Sequence, residues 1–311
     1  MRANTRLVEF SEYISPDGER YYFDTRESKF AMSFMGDGMP PIEYISQRGP
    51  FQHGETIYDY RLNPRIIQFA HYSRAKDRHR YWDKRADILN LLRPNRQSAG
   101  SFDLGTLRKY MIDGTIRDID VMIERGPLFK SMDLNKWDEF GFMETLRFIA
   151  PDPTFYDPAQ WSLTWSLGIA QTELEFPITF PIEFSESLIL GETNTITYDG
   201  TWLCYPEIVI TGPFSGFNIE NVDTGKMIQL NYAIQAGEIV TVSLEYGNKT
   251  VESDIQGNII GVVSTDSDLA EFAIVPDPEA ADGVNNLEVN GASADNDTQI
   301  VLTGYTRFIG F

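Results

Sequence analysis

The sequence predicts a mainly β protein of two modules: an N-terminal β-sandwich-like module with one α-helix, and a C-terminal β-sandwich or jelly roll. Three observations carry that expectation. Short runs rich in β-branched and aromatic residues recur along the chain, bounded by Gly, Pro, Asn or Asp turn signals. One stretch alone, Lys76–Leu92, repeats its apolar residues at convincing helical spacing. The charge also changes abruptly near residue 150. Residues 1–150 hold 23 basic and 22 acidic side chains, a net of +1, whereas residues 151–311 hold 3 and 24, a net of −21. Surfaces so different within one chain mark two modules, 1–150 and 151–311, with different tasks.

In the first module, runs at Arg6–Ser15 and Arg20–Thr25 flank Pro16-Asp17-Gly18, a hairpin signal. Thr56–Leu62 and Arg65–Ser73 are separated by Asn63-Pro64, which reads as a turn. Leu107–Ile112 and Ile116–Glu124 pair across Asp113-Gly114, and Met143–Ala150 makes a last strand. The helix carries Tyr81, Trp82, Ile88, Leu89 and Leu92 as one apolar stripe, with Asp77–Arg80, Arg80–Asp83 and Lys84–Asp87 as i,i+3 charge pairs, and Pro94 stops it.

Pro151-Asp152-Pro153 and Pro158 mark the module boundary. Beyond them Phe176–Phe184 alternates strictly; its two prolines cannot donate ladder bonds, so an edge strand or strap is expected. Then come strands at Glu207–Thr211, Gly216–Val222, Lys226–Tyr232 and Ile239–Tyr246. A second group follows at Lys249–Ser253, Ile259–Ser264, Glu271–Val275, Asn285–Val289 and Thr298–Phe308. Many short strands and no helix describe a sandwich.

At 311 residues, with 42% hydrophobic and 13% aromatic content, the chain can build two cores and is not disordered. No run approaches the length of a membrane helix, so membrane insertion is not expected. The residues after Met1 lack the apolar run of a secretory signal, which points to a cytoplasm-like compartment.

Chemistry finds little foothold. Cys204 stands alone in a strand-like run and reads as a buried, inert thiol. His53, His71 and His79 lack metal-ligand spacing. P-loop, G-x-S-x-G and H-E-x-x-H motifs are missing from the sequence, and the 24 carboxylates of the second module offer no criterion for choosing a catalytic pair. Asp266-Ser267-Asp268 and Asp295-Asn296-Asp297 read as acidic turns rather than calcium loops. The expectation is a protein with no enzymatic activity, cofactor or metal. The basic run of Arg74, Lys76, Arg78, Arg80, Lys84 and Arg85 beside Tyr81 and Trp82 is half neutralised by Asp77, Asp83 and Asp87. A chain of net −20 is therefore not expected to hold nucleic acid stably. Trp161, Trp165 and Trp202 are aromatics that pack a core or stack on a sugar ring, with packing the default.

One segment is more specific. Gly38-Met39-Pro40-Pro41-Ile42-Glu43-Tyr44-Ile45, then Gln47–Thr56 and Arg61-Leu62-Asn63-Pro64-Arg65, resembles the N-terminal module of siphophage distal tail (Dit-like) proteins. The similarity continues through Arg85–Pro94 and through Tyr205–Pro213, Asp223–Lys226, Ala236–Glu238, Lys249–Val251 and Thr303–Phe308 of the second module.

The resemblance implies a structural virion protein of a phage tail tip or baseplate, assembled in the host cytoplasm. Such proteins form a homo-oligomeric ring, usually a hexamer, that links the tail tube to the tail-tip hub and receptor-binding proteins. The second module would be a galectin-like sandwich. On this reading Pro40, Pro41, Arg48, Phe51, His53, Glu55 and Arg61 are expected at a subunit interface, in a Pro-rich loop (Gly38–Pro50) and turn (Gln52–Thr56) that grip a neighbour or simply form an ordered surface loop. The alternative is a tail-tip adhesion module that binds host-surface carbohydrate through the second module, with Trp202 as the stacking residue.

Overall fold

The computed structural model describes residues 11–23, 29–93, 104–111, 113–131, 140–166, 190–295 and 297–310. The chain divides into two compact units, Met1–Pro158 together with Phe308–Phe311, and Ala159–Arg307.

The first unit contains β1 (Ser11–Ile14), β2 (Arg20–Tyr22), β3 (Lys29–Met35), β4 (Ile42–Gln47), β5 (Thr56–Leu62) and β6 (Arg65–Ala75). After them come α1 (Arg78–Leu91), β7 (Gly105–Tyr110), β8 (Ile116–Ser131), β9 (Phe140–Ala150) and the start of β10 (Phe155–Ser166). All pairing is antiparallel. One run is ordered β2–β1–β7–β8 and another β8–β9–β6–β3, so β8 serves both. Ile116–Val121 of β8 faces β7, and Met122–Ser131 faces β9 across two register irregularities. Bulges bend a strand, which lets a single long strand belong to two layers.

Period-two alternation sends Ile67 and Phe69 of β6, Ile119 and Val121 of β8, and Leu146 and Phe148 of β9 inward. Tyr13 of β1 meets Phe148 of β9 at a ring separation of 5.4 Å, so residues of both runs meet in one core. On the β1–β7–β8 run, Arg108 holds Asp118 through two hydrogen bonds of 2.8 and 2.7 Å, and Tyr110 donates to buried Glu12. This cross-strand pairing partners the Asp118 carboxylate and one oxygen of Glu12, charges that burial would otherwise penalise.

The helix begins at Arg78, two residues after the expected start at Lys76. Asp77 caps it by accepting the Arg80 N–H at 2.9 Å. Its apolar surface differs from the expected single stripe. Ile88, Leu91 and Leu92 are buried and Tyr81 is half-buried, whereas Trp82 is 54% and Leu89 48% exposed. At 100° per residue, Trp82 and Leu89 lie roughly a quarter turn from the buried line, too far to share its contacts.

The second unit contains the rest of β10, then β11 (Leu190–Thr197), β12 (Glu207–Thr211), β13 (Phe214–Asn221), β14 (Lys226–Gln229) and β15 (Ala233–Ile234). It continues with β16 (Ile239–Ser243), β17 (Thr250–Ser253), β18 (Gly257–Asn258), β19 (Val284–Ala292) and β20 (Gln299–Phe308). One sheet runs β18–β17–β16–β12–β20 and the other β11–β19–β13–β14, with β15 on β13. Ile208, Val242 and Leu302 of the first sheet and Phe217, Ile219 and Val289 of the second share one core, which is a β-sandwich.

Two segments expected as strands are otherwise. Ile260–Val262 is a turn of 3-10 helix, and around Ile274 only a single bridge to Cys204 forms, though Phe272 and Ile274 are fully buried. Their apolar residues plug the sandwich without joining a ladder. The alternating run Phe176–Phe184 lies outside the described residues.

Candidate assembly interface

The segment expected as a Pro-rich loop contains a strand. Ile42–Gln47 pairs with Thr56–Leu62 in a two-stranded sheet of its own, and among the described residues neither strand joins the layers of the first unit. Pro40, Pro41 and Pro64 bracket the pair. Proline supplies no N–H, so the ladder stops there, and the Pro41 carbonyl closes the root by accepting the Asn63 N–H at 2.8 Å. The turn expected at Asn63-Pro64 does not form a hairpin: these two residues only separate β5 from β6, which pair with other strands.

Register makes the ribbon amphipathic. Ile42↔Leu62 and Tyr44↔Tyr60 fall on one face, and Glu43↔Arg61, Ile45↔Asp59 and Gln47↔Thr56 on the other. A bulge then sets Ile57 against Ser46 and leaves Tyr58 as the extra residue. Tyr44, Ile57, Tyr58 and Tyr60 are all exposed, Tyr58 at 66%. A two-stranded hairpin alone in water is marginal, and this one leaves a largely aromatic face open.

The charged residues of the ribbon are engaged within it. Arg61 grips Glu43 through two bonds of 2.8 and 3.1 Å, and this guanidinium holds the Glu43 carboxyl below its ordinary range. Arg48 donates to the Gln52 carbonyl at 3.2 Å, and Ser46 donates to Glu55 at 2.5 Å. Gln52 also accepts from the Gly49 N–H and donates to Thr56, knitting the tip. His53 is exposed beside it, and Phe51 at the tip is 101% exposed. Arg48, Phe51, His53, Glu55 and Arg61 thus lie on one projecting element, with exposed Pro41 and buried Pro40 at its root. Sequence reasoning passed over Tyr44, Tyr58 and Tyr60. The signal was the alternation in Tyr58-Asp59-Tyr60-Arg61, which lay inside an expected strand but was not read as one exposed aromatic face.

Arg65, the first residue after the ribbon, fixes its base. The guanidinium is 1% exposed and donates to four main-chain carbonyls: Pro153 at 2.7 Å, Gly36 at 2.8 Å, Gly38, and Ile309 at 2.5 Å. It also lies over the Phe155 ring at 4.6 Å. Burial pushes it down to about 10, with Asp37 and Asp152 pulling the other way. Gly36 has φ 105°, a conformation open to glycine, and a Cβ there would strike the Ile66 carbonyl. Residues 308–310 therefore belong to the first unit, where Phe308 also lies 3.7 Å from the guanidinium carbon of Arg117.

In the second unit, Trp165 is fully buried and Trp161 packs against the core. Trp202 is half-buried, and its main chain bridges to Arg307. Asp268 accepts from the Met227 N–H and from Lys226, so the first acidic triplet does structural work in its turn. The Cys204 thiol is 1% exposed, and burial pushes it up to about 12.

Comparison with known proteins places this architecture. Residues 199–303 match the family described as siphovirus-type tail component, C-terminal domain. The crystal structure of SPP1 Dit, described as a paradigm of the hub adsorption apparatus in phages infecting Gram-positive bacteria, superposes with a TM-score of 0.60 at 14% identity. That match covers 95% of this chain and 98% of the other. A chain of the phage P2 baseplate in its activated conformation with Ca matches over 95% and 97% of the two chains at 10% identity. Its TM-score is 0.42, too low to carry an argument. No curated protein sequence matches. Residues 199–303 thus carry the features of that family's C-terminal domain, and the fold is shared with SPP1 Dit along nearly the whole length of the chain.

Proposed function

We propose that this chain is a non-enzymatic structural protein of the virion that assembles with its own copies into a ring, a hexamer by resemblance, at the distal end of a phage tail. There it joins the tail tube to the tip hub and receptor-binding proteins. The family match of residues 199–303 and the fold of SPP1 Dit support the tail assignment.

The observation that carries self-assembly is the β4–β5 ribbon, which displays an aromatic face that its own unit leaves uncovered. Burying four such side chains against a neighbour removes apolar area from water at roughly 25 cal/mol per Å². The near-balanced charge of residues 1–150 lets copies approach without mutual repulsion, while the acidic second unit keeps clear of other polyanions.

Electron microscopy of the purified full-length chain, with light scattering for mass, tests the reading. Annular particles of several chain masses are expected. A chain that stays monomeric up to high concentration overturns it.

A further inference from the structure

Resting on the ring-forming reading above, we propose that the outward stripe of α1, Trp82–Ala86–Leu89, is the seat for the aromatic face of the β4–β5 ribbon from a second copy of this chain. Trp82 and Leu89 are the large apolar side chains that the helix leaves open, and they stand at i,i+7 with Ala86 between them on the same side. A solvent-facing helix surface has no need of an indole. Here the indole is held in place: the Arg85 guanidinium lies 5.1 Å from the Trp82 ring centre and Tyr81 meets it edge-on at 5.3 Å. A pre-set aromatic loses little freedom on binding.

The two surfaces match in length, composition and charge. β5 has seven residues, about 23 Å of strand. α1 has fourteen, about 21 Å of helix. Tyr44, Tyr58 and Tyr60 on one side and Trp82 on the other are residue types that dominate interface cores, and exposed Arg78 and Arg93 rim the stripe. The ribbon carries three carboxylates (Glu43, Glu55, Asp59) against two guanidiniums. Residues 77–93 carry five cations (Arg78, Arg80, Lys84, Arg85, Arg93) against three carboxylates. The excess is of opposite sign, which favours ribbon against helix over either surface against itself. Contact between two unlike faces of one subunit is the kind that closes a ring; ribbon against ribbon would yield only a pair.

Cys204 is buried, so a newly placed thiol reports alone. The full-length variants Tyr58→Cys and Leu89→Cys, purified separately, are to be mixed and treated with a short bis-maleimide. The expected result is a covalent two-chain species in the mixture and little in either variant alone. Cross-linking of Tyr58→Cys with itself overturns the pairing in favour of a ribbon–ribbon contact. Absence of the mixed product, while light scattering still reports the assembled mass, overturns the helix seat and leaves the ring standing. Loss of all assembly in the unmodified chain removes both. A third variant, Leu89→Glu, is expected to raise the concentration needed for assembly at least tenfold while leaving the unfolding midpoint unchanged. An unmoved assembly curve would count against the seat.

Discussion

Arg65 donates a hydrogen bond to the main-chain carbonyl of Ile309, a partner 244 residues further along the chain. The same guanidinium holds the Gly36 and Gly38 carbonyls on the far side of the ribbon, so one side chain anchors both roots of the projecting element.

Arg65→Lys is therefore expected to cost about 3 kcal/mol of stability, because an ammonium cannot serve four acceptors and leaves buried carbonyls unpaired. Urea unfolding measures the loss. Faster amide exchange in residues 36–41, relative to the sandwich, would identify the ribbon's root as the part released. A change below 0.5 kcal/mol would mean that water replaces the guanidinium at no cost.

Phe51→Ala and Tyr58→Ser test the ribbon from the other side. Both side chains are exposed, so the unfolding free energy should stay within about 0.5 kcal/mol of the parent. Assembly should weaken at least tenfold by sedimentation velocity. Loss of folding in parallel with assembly would recast these residues as part of the unit's own packing.

Arg61→Glu sets two carboxylates opposite each other, since Arg61 pairs with Glu43 across the ribbon. Like charges at a cross-strand pair are destabilising, and here they fall on an element with little stability to spare. The double exchange Arg61→Glu with Glu43→Arg is expected to restore assembly. Failure to restore it would show that Arg61 serves the neighbour rather than its own ribbon.

Glu238 gives the second unit an acid limit. Its side chain is buried, and burial alone would raise it. Hydrogen bonds from the Gln235 N–H, Ser253 and Tyr232 outweigh that and leave it lowered. A carboxyl lowered in the folded state adds stability that is full above its unfolded value, near 4.5, and is lost as pH falls through the folded value. Urea midpoints measured between pH 6 and pH 3 should fall in that window, and less steeply in Glu238→Gln. Identical pH profiles for the two proteins would exclude this carboxylate as the source.

Cys204 should resist thiol reagents in the native protein and react fully once denaturant unfolds the sandwich, because its buried thiol ionises only near 12. Rapid native labelling would mean that the bridge between Cys204 and Ile274 opens readily.

The strands readable from sequence were those whose signal is local. Glu207–Thr211 and Thr56–Leu62 coincide with β12 and β5 because β-branched and aromatic residues dominate them between turn formers. Ile42–Gln47 was obscured by Pro40, Pro41 and Pro50, although those prolines lie outside the strand they bracket. The helix was found, but its apolar residues were assigned to one stripe because spacing alone does not say which of two apolar lines meets a sheet. Arg65 left no mark at all. A guanidinium that binds carbonyls instead of carboxylates has partners that any residue could supply, so only the folded chain reveals them.

The grip of Arg65 on Ile309 also orders events in time. Arg65 leaves the ribosome long before its acceptor is polymerised, by roughly ten to fifty seconds at ordinary elongation rates. Until then the guanidinium at the ribbon's base has the Gly36, Gly38 and Pro153 carbonyls as acceptors and lacks its fourth. The last acceptor is added only when synthesis has passed residue 309.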